Sequence, residues 1–114
     1  MIIQEIFGVN SHIRAVCDGY AADGYVAVAP ALFDRVEPDF QAGYEQADIV
    51  RGREIRGKIG WDAMLADLRA AVKVLQGERL RIGEPLVLVS TMAPDQLLTA
   101  FTLNEGISRW SYGR

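Results

Sequence analysis

Residues 4–14 read Gln4-Glu5-Ile6-Phe7-Gly8-Val9-Asn10-Ser11-His12-Ile13-Arg14. The apolar opening Met1-Ile2-Ile3 leads into this stretch and predicts a short buried strand over residues 2–6. Glu5 places a carboxylate in that apolar run, and Gly8 allows the chain to turn. Asn10 or Ser11 can then cap a helix by accepting a hydrogen bond from a free backbone N–H. The stretch therefore predicts a strand, a turn and a helix in immediate succession.

The helix after this turn carries a single apolar stripe, because its apolar residues recur at helical spacing. The stripe consists of Ile13, Val16, Cys17, Tyr20 and Ala21. Gly24 stands where a left-handed residue would end the helix. Residues 25–29 are short and apolar and precede Pro30, which predicts a second buried strand that ends at the proline.

The middle of the chain predicts a loop and two helices. Residues 31–43 contain Pro38 and Gly43 and predict a loop over the strand ends. Residues 44–56 predict a polar helix. Residues 61–76 carry the strongest helical pattern, and Gly77 is expected to end that helix. Its apolar stripe consists of Met64, Leu65, Leu68, Ala71, Val72 and Leu75.

The last third of the chain predicts one more strand and one more helix. Residues 86–89 are apolar and predict a third buried strand. Pro94 can begin a last helix, Gly106 can end it, and residues 107–114 are expected to form a loose tail.

The predicted order of elements is β-α-β-α-α-β-α, which is typical of a parallel sheet with right-handed crossovers. We therefore expect one α/β domain over residues 1–114, a three-layer αβα structure with a short parallel sheet. Three parallel strands form a narrow sheet whose edges need cover. This favours a homo-oligomer, either a homodimer or a swapped arrangement.

Composition excludes several classes of function. A net charge of -3 and a pI of about 5.1 give no electrostatic reason to expect nucleic acid or a membrane surface as partner. No basic segment precedes the apolar opening, so no signal peptide is expected. Cys17 is the only cysteine, so no internal disulfide can form, and a cytoplasmic location is the simplest expectation. With one histidine and one cysteine, we expect no metal site, and no cofactor is indicated.

Two motifs resemble the dienelactone hydrolase family of α/β-hydrolases over residues 1–76. One is the glutamate turn and helix start, from Gln4 to Arg14, and the other is Gly24-Tyr25-Val26-Ala27-Val28-Ala29-Pro30. Residues 77–106 diverge from the family pattern, and the tail follows. The resemblance implies a truncated α/β-hydrolase-like fold and an activity on small esters or lactones, through nucleophilic attack, an acyl-enzyme and its hydrolysis.

The resemblance also implies roles for two residues. In the family, the glutamate that matches Glu5 sits beside a cysteine nucleophile and helps to control its protonation. The backbone N–H that matches Ile6 is one arm of the oxyanion hole, which stabilises the tetrahedral intermediate. The alternative for Glu5 is a structural carboxylate that caps backbone N–H groups of the next turn.

Other catalytic parts of the family are missing from the sequence. No G-x-[SC]-x-G elbow occurs in the 114 residues, and Met92 would occupy the nucleophile position. Ala31 stands where the family usually has an acid after the proline, and no aspartate or histidine matches the triad. The chain is therefore expected to be catalytically incomplete in isolation. The alternative is a non-catalytic α/β binding or dimerisation module derived from a hydrolase.

Four further features are candidate sites. Cys17 lies mid-helix on the apolar stripe, so it is interpreted as buried structure rather than as a nucleophile. His12 is interpreted as a surface or capping residue, and Ser90 would need His12 beside it to act as a nucleophile. A basic cluster near a helix end is interpreted as a solvated face. It consists of Arg51, Arg53, Arg56 and Lys58.

Overall fold

The structure, a computed structural model, describes residues 1–82, 88–90 and 110–112, and the burial of side chains up to residue 77. The predicted last helix from Pro94 to Gly106, and Met92, lie outside the described residues. The described elements are β1 (Ile2–Ile3), α1 (Ser11–Ala22), a 3-10 turn (Leu32–Arg35), α2 (Gln46–Gly57), α3 (Trp61–Ile82), β2 (Leu88–Ser90) and β3 (Trp110–Tyr112).

Within the described residues, the three short strands pair in parallel in the order β1-β2-β3. Ile2 lies opposite Val89, and Leu88 lies opposite Trp110. The prediction of a loose tail does not hold at β3. Tryptophan and tyrosine favour strands, but three residues carry too little alternation to reveal a strand without its pairing partner.

Of the three predicted strands, the one at residues 86–89 is confirmed at residues 88–89, which lie in β2, and the other two were too long or wrong. The chain leaves β1 after Ile3, because the following residues form a turn instead of continuing the ladder. Residues 25–29 form no strand, although the Ile2 N–H donates to the Val28 carbonyl at 2.7 Å. Tyr25 and Val26 are exposed, and residues 27–30 are only partly buried. The apolar pattern of this segment therefore does not correspond to a buried strand.

Both ends of α1 are fixed by local hydrogen bonds. Asn10, not Ser11, is the N-terminal cap, and its side-chain oxygen accepts from the Ile13 N–H at 3.2 Å. At the other end Gly24 has a φ of +93°, which confirms the predicted left-handed residue. The Tyr25 N–H closes the helix by donating to the Tyr20 carbonyl at 3.0 Å.

The predicted apolar stripe of α3 supplies four of the ten buried residues of the main core in the described part of the chain. Gly77 does not end this helix, which continues to Ile82. A glycine inside a helix costs about 1 kcal/mol relative to alanine, which a long packed helix tolerates. The buried residues of the core are Met1, Ile3, Leu32, Phe33, Ile55, Ile59, Met64, Leu68, Val72 and Leu75.

A second cluster lies on the α1 side of β1. Ile2 and Ile13 are its buried members, and Val16, Cys17 and Tyr20 of α1 pack against them. Ile2 and Ile3 thus belong to different clusters, as expected for successive residues of a strand. β1 is therefore covered by side chains on both faces. Among the described helices, none is both long and apolar enough to cross a membrane.

Candidate functional site

The turn after β1 brings the sequence-predicted site residues to the carboxyl end of a parallel strand, where open α/β sheets bind ligands. Glu5 and Gly8 form an isolated antiparallel bridge, and the Gly8 N–H donates to the Glu5 carbonyl at 3.3 Å. Gly8 has a φ of +76°, and a Cβ there would lie 2.0 Å from the Phe40 carbonyl oxygen. Only glycine fits this position without a shift of the backbone.

Glu5 carries a buried oxygen with no hydrogen-bond partner. The residue is half-buried, but its Oε2 is shielded from solvent and has no partner within the described part of the chain. A buried polar atom without a partner costs free energy, so such atoms are rare away from functional sites. Within the described residues Oε2 accepts no hydrogen bond, so this oxygen does not cap the next turn.

The N–H and the carbonyl of Ile6 differ in their contacts. Within residues 1–82, 88–90 and 110–112, no acceptor is found for the Ile6 N–H. The Ile6 carbonyl faces Gly52 of α2, where an added Cβ would lie 2.1 Å from the carbonyl oxygen. A backbone N–H without a protein acceptor remains available to donate a hydrogen bond to a ligand oxygen.

Gln4 is a buried polar neighbour of Glu5 for which no sequence motif predicted a role. Its side chain is almost fully buried. Its Oε1 accepts from the Leu32 N–H at 2.9 Å, and its Nε2 donates to the Glu5 carbonyl at 3.2 Å. The signal that could have revealed it is an amide residue at the end of an apolar run, since buried amides need hydrogen-bond partners.

Asn10 holds a second loop over the turn. Its Nδ2 donates to the Ala42 carbonyl at 3.2 Å and to the Tyr44 hydroxyl at 3.3 Å. The Tyr44 ring meets the Phe7 ring edge-on, with centroids 4.6 Å apart. The Ala42 N–H donates to the Phe7 carbonyl at 3.0 Å. The cap of α1 therefore also positions the loop that precedes α2.

A small pocket of about 120 Å³ adjoins Gln4. Its polar lining includes Arg14, Asp34 and Asp39, and Ala31 also contributes to its wall. Neither Glu5 nor Ile6 lines it. The volume suits a few water molecules rather than an ester substrate.

Cys17 lies where the sequence predicted, on the packed face of α1. Its side chain is half-buried against the cluster of Ile2 and Ile13. Burial raises the pKa of the Cys17 thiol above its ordinary value. A thiol with a raised pKa is a poor nucleophile, which fits a structural role.

His12 and Ser90 are not brought together by anything that the structure shows. His12 is exposed in the first turn of α1. Ser90 lies in β2, and its side chain lies outside the described part of the chain. The pairing of the two residues stays a prediction.

Two of the four residues of the basic cluster contact neighbouring groups in the described part of the chain. Arg51 forms ion pairs with Glu37 and with Glu54, the latter at 3.2 Å. Arg56 donates to a backbone carbonyl and lies 4.9 Å from the centroid of the Trp61 ring. Arg53 and Lys58 are exposed. This arrangement matches the interpretation as a solvated face.

The donor groups of the described residues do not form a metal site. No group of three or more His, Cys, Asp or Glu side chains in that part of the chain could hold a metal ion.

Three relatives, each provisionally named carboxymethylenebutenolidase, are similar to this chain. The Synechocystis protein is 36% identical over 124 aligned residues, which cover 99% of this chain and 50% of the relative. The Methylorubrum extorquens protein is 38% identical over 68% of this chain and 25% of the relative. The Azospirillum brasilense protein is 56% identical over 36% of this chain and 18% of the relative. The chain thus spans at most about half the length of these relatives.

The sequence model of the dienelactone hydrolase family matches residues 1–89. The match includes Gln4, Glu5, Ile6 and all three described helices, and it reaches into β2. It extends beyond residue 76, where the sequence analysis placed the end of the resemblance. Because it covers more than half of the 114 residues, the chain belongs to the dienelactone hydrolase family, whose fold is that of the α/β-hydrolases.

Proposed function

We propose that this chain supplies the glutamate and one arm of the oxyanion hole to a hydrolase of small esters or lactones. A second polypeptide segment that carries a nucleophile elbow, an aspartate and a histidine completes the site. Glu5 would stand beside the incoming nucleophile and influence its protonation. The Ile6 N–H would bind the oxyanion of the tetrahedral intermediate.

One observation carries the proposal: Glu5 Oε2 is buried and has no partner within the described residues. A side chain supplied by the second segment would satisfy this oxygen and remove the cost of leaving it unpaired. The free Ile6 N–H lies in the next residue, so the same segment would place a substrate carbonyl within reach of both groups.

The test is functional complementation. The chain is co-expressed with a segment of a family member that starts before its G-x-C-x-G elbow and continues to its C-terminus. Turnover of 4-nitrophenyl acetate and of a dienelactone is then measured for each part and for the purified complex. We expect hydrolysis at the buffer rate for either part alone and turnover for the complex.

Glu5→Gln removes the charge of Glu5 while preserving its shape. We expect it to lower turnover of the complex by about a hundredfold, a typical contribution of a group that controls a proton in the reaction. The matched control is Glu54→Gln, which removes a carboxylate from the exposed face of α2 and should leave turnover unchanged. A well-folded complex without turnover, or equal activity of both variants, would contradict the proposal.

The second candidate is a non-catalytic module derived from a hydrolase. It is favoured by the absence of a G-x-[SC]-x-G elbow from the 114 residues. Under this hypothesis the chain associates with no elbow-bearing segment. Co-purification during the complementation experiment therefore separates the two candidates.

The architectural part of the proposal is a three-layer αβα structure that assembles as a homo-oligomer in the cytoplasm. The side-chain clusters on both faces of β1 support the layers. The exposed Tyr25 and Val26, on the extended segment beside β1, support association at that edge. The lone Cys17 is compatible with a reducing compartment. Sedimentation velocity on the purified chain tests the oligomer, and a monomer at all concentrations would exclude it.

A further inference from the structure

Two peptide groups flank Ile6, and the structure holds each of them by a different contact. The peptide between Glu5 and Ile6 contains the Glu5 carbonyl and the Ile6 N–H, and these two groups point in opposite directions in one rigid plane. Whatever fixes the Glu5 carbonyl therefore also aims the Ile6 N–H.

Two donors hold the Glu5 carbonyl. Gln4 Nε2 lies 3.2 Å from the carbonyl oxygen, and the Gly8 N–H lies 3.3 Å from it. A carbonyl oxygen has two lone pairs, so both bonds can be made at once. Both bonds are local in sequence, but the Gln4 side chain also bonds Leu32, a residue far along the chain, through the other end of its amide.

Gln4 is itself anchored. Its Oε1 accepts from the Leu32 N–H at 2.9 Å, at the start of the 3-10 turn, and its side chain is 1% exposed. Leu32 belongs to the main core with Ile3 and α3. A buried amide with both ends hydrogen-bonded cannot rotate without losing partners.

We propose that Gln4 is a positioning residue, whose side-chain amide aims the Ile6 N–H by fixing the Glu5–Ile6 peptide plane to the core through Leu32. This inference rests on the oxyanion role proposed for Ile6. Gln4 would touch neither substrate nor nucleophile. Its contribution is geometric, since a donor displaced from the oxyanion loses most of its effect in the transition state.

Two variants distinguish the hydrogen bond that Gln4 makes with Glu5 from the one that it makes with Leu32. Gln4→Glu keeps an oxygen for the Leu32 N–H but removes the Nε2 donor to Glu5. Gln4→Met has a similar length and removes both hydrogen bonds. Val72→Ala, in the buried stripe of α3, is the control for loss of core stability without a change at the turn.

The first readout is the amide spectrum of the full 114-residue chain by NMR, which needs no activity. In Gln4→Glu we expect the Ile6 amide resonance to move and the Leu32 resonance to stay. In Gln4→Met both should move, and in Val72→Ala neither. In the unmodified chain the two carboxamide protons of Gln4 should be resolved and exchange slowly with solvent. Fast exchange of these protons, or an unmoved Ile6 resonance in folded variants, would overturn the proposal.

The second readout is turnover by the complemented hydrolase. Both Gln4 variants should lower kcat by roughly tenfold to a hundredfold with KM unchanged, because the lost interaction acts in the transition state. Val72→Ala should lower the melting temperature and leave kcat unchanged. A complex that is inactive even without substitutions counts against the proposed function alone, since the NMR result still decides the positioning role. A rise in KM with unchanged kcat would overturn the positioning role.

Discussion

Gly52 of α2 lies against Ile6 so closely that a Cβ at Gly52 would fall 2.1 Å from the Ile6 carbonyl oxygen. The same Cβ would lie 3.0 Å from the Ile6 carbonyl carbon. Both are backbone atoms, so a side chain at Gly52 would have to displace the turn or the helix. The helix therefore packs directly against the backbone of the turn at Ile6.

Gly52→Ala should destabilise the fold by about 1–2 kcal/mol, because the strain of overpacking exceeds the gain in helix propensity. Gly57→Ala in the same helix is the matched control, since a Cβ at Gly57 meets nothing within 4 Å. It should be neutral or stabilising by up to about 1 kcal/mol. Urea unfolding followed by circular dichroism measures both. Equal stability of the two variants would show that Gly52 of α2 does not pack closely against the Ile6 backbone.

Gly8→Ala and Gly24→Ala separate two costs of replacing a glycine. Both glycines have positive φ, but only Gly8 faces a neighbouring backbone, with Phe40 at 2.0 Å from an added Cβ. Gly24→Ala should therefore cost about 1 kcal/mol for the strained φ alone. Gly8→Ala should cost at least about 1 kcal/mol more, because the Phe40 loop must also move. Thermal unfolding of both variants measures the difference, and a reversed order would contradict the close approach.

Local patterns predicted the three described α-helices, whereas two of the three predicted strands were too long or absent. The spacing of Met64, Leu68 and Val72 follows the helical period, and all three side chains are buried. The strand over residues 2–6 was predicted too long because a turn is decided by hydrogen bonds to Gly8, which apolar character does not reveal. Trp110–Tyr112 forms a strand because β2 offers it a partner, and that partner is remote in sequence.

Only those residues of the candidate site that belong to the family motif could be predicted from the sequence. The family motif predicted Glu5 and Ile6. Gln4 is identified only by its hydrogen bond with Leu32, and Gly52 only by its close approach to the Ile6 backbone. Such contacts join residues far apart in the chain, so no local pattern contains them. Polar or glycine residues among apolar neighbours are the one signal that the sequence offers for them.

Asn10→Ala should destabilise the fold by about 1–2 kcal/mol through loss of the helix cap. The variant also leaves the Ala42 carbonyl without the Asn10 donor, which should loosen the loop before α2. Ser11→Ala is the control, because Ser11 is exposed and is not the cap. Urea unfolding gives the stabilities, and amide exchange at Ala42 reports on the loop. A larger loss of stability in Ser11→Ala than in Asn10→Ala would show that Asn10 is not the residue that caps α1.

Alkylation of Cys17 should be slow in the folded chain. Burial raises the pKa of this thiol, so less thiolate is present near neutral pH, and packing on α1 limits access. We expect iodoacetamide at pH 7.5 to label the folded chain at least about tenfold more slowly than the chain in urea, because the thiolate is the reacting form. Labelling at the same rate in both states would revive Cys17 as a candidate nucleophile.

The stability of the chain should rise as pH increases from about 6 to 8, because of the α-amino group of Met1. Burial lowers the pKa of this amine from 8.0 to about 6, against a smaller opposing effect of the Cys17 charge. Between these two values the unfolded chain holds a proton that the folded chain does not. The free energy of unfolding therefore increases with pH in this window, by about 2 kcal/mol in total, and changes little below it. Urea unfolding at pH 6, 7 and 8 measures the slope, and a chain acetylated at Met1 should lose it. An unchanged slope after acetylation would assign the effect to another group.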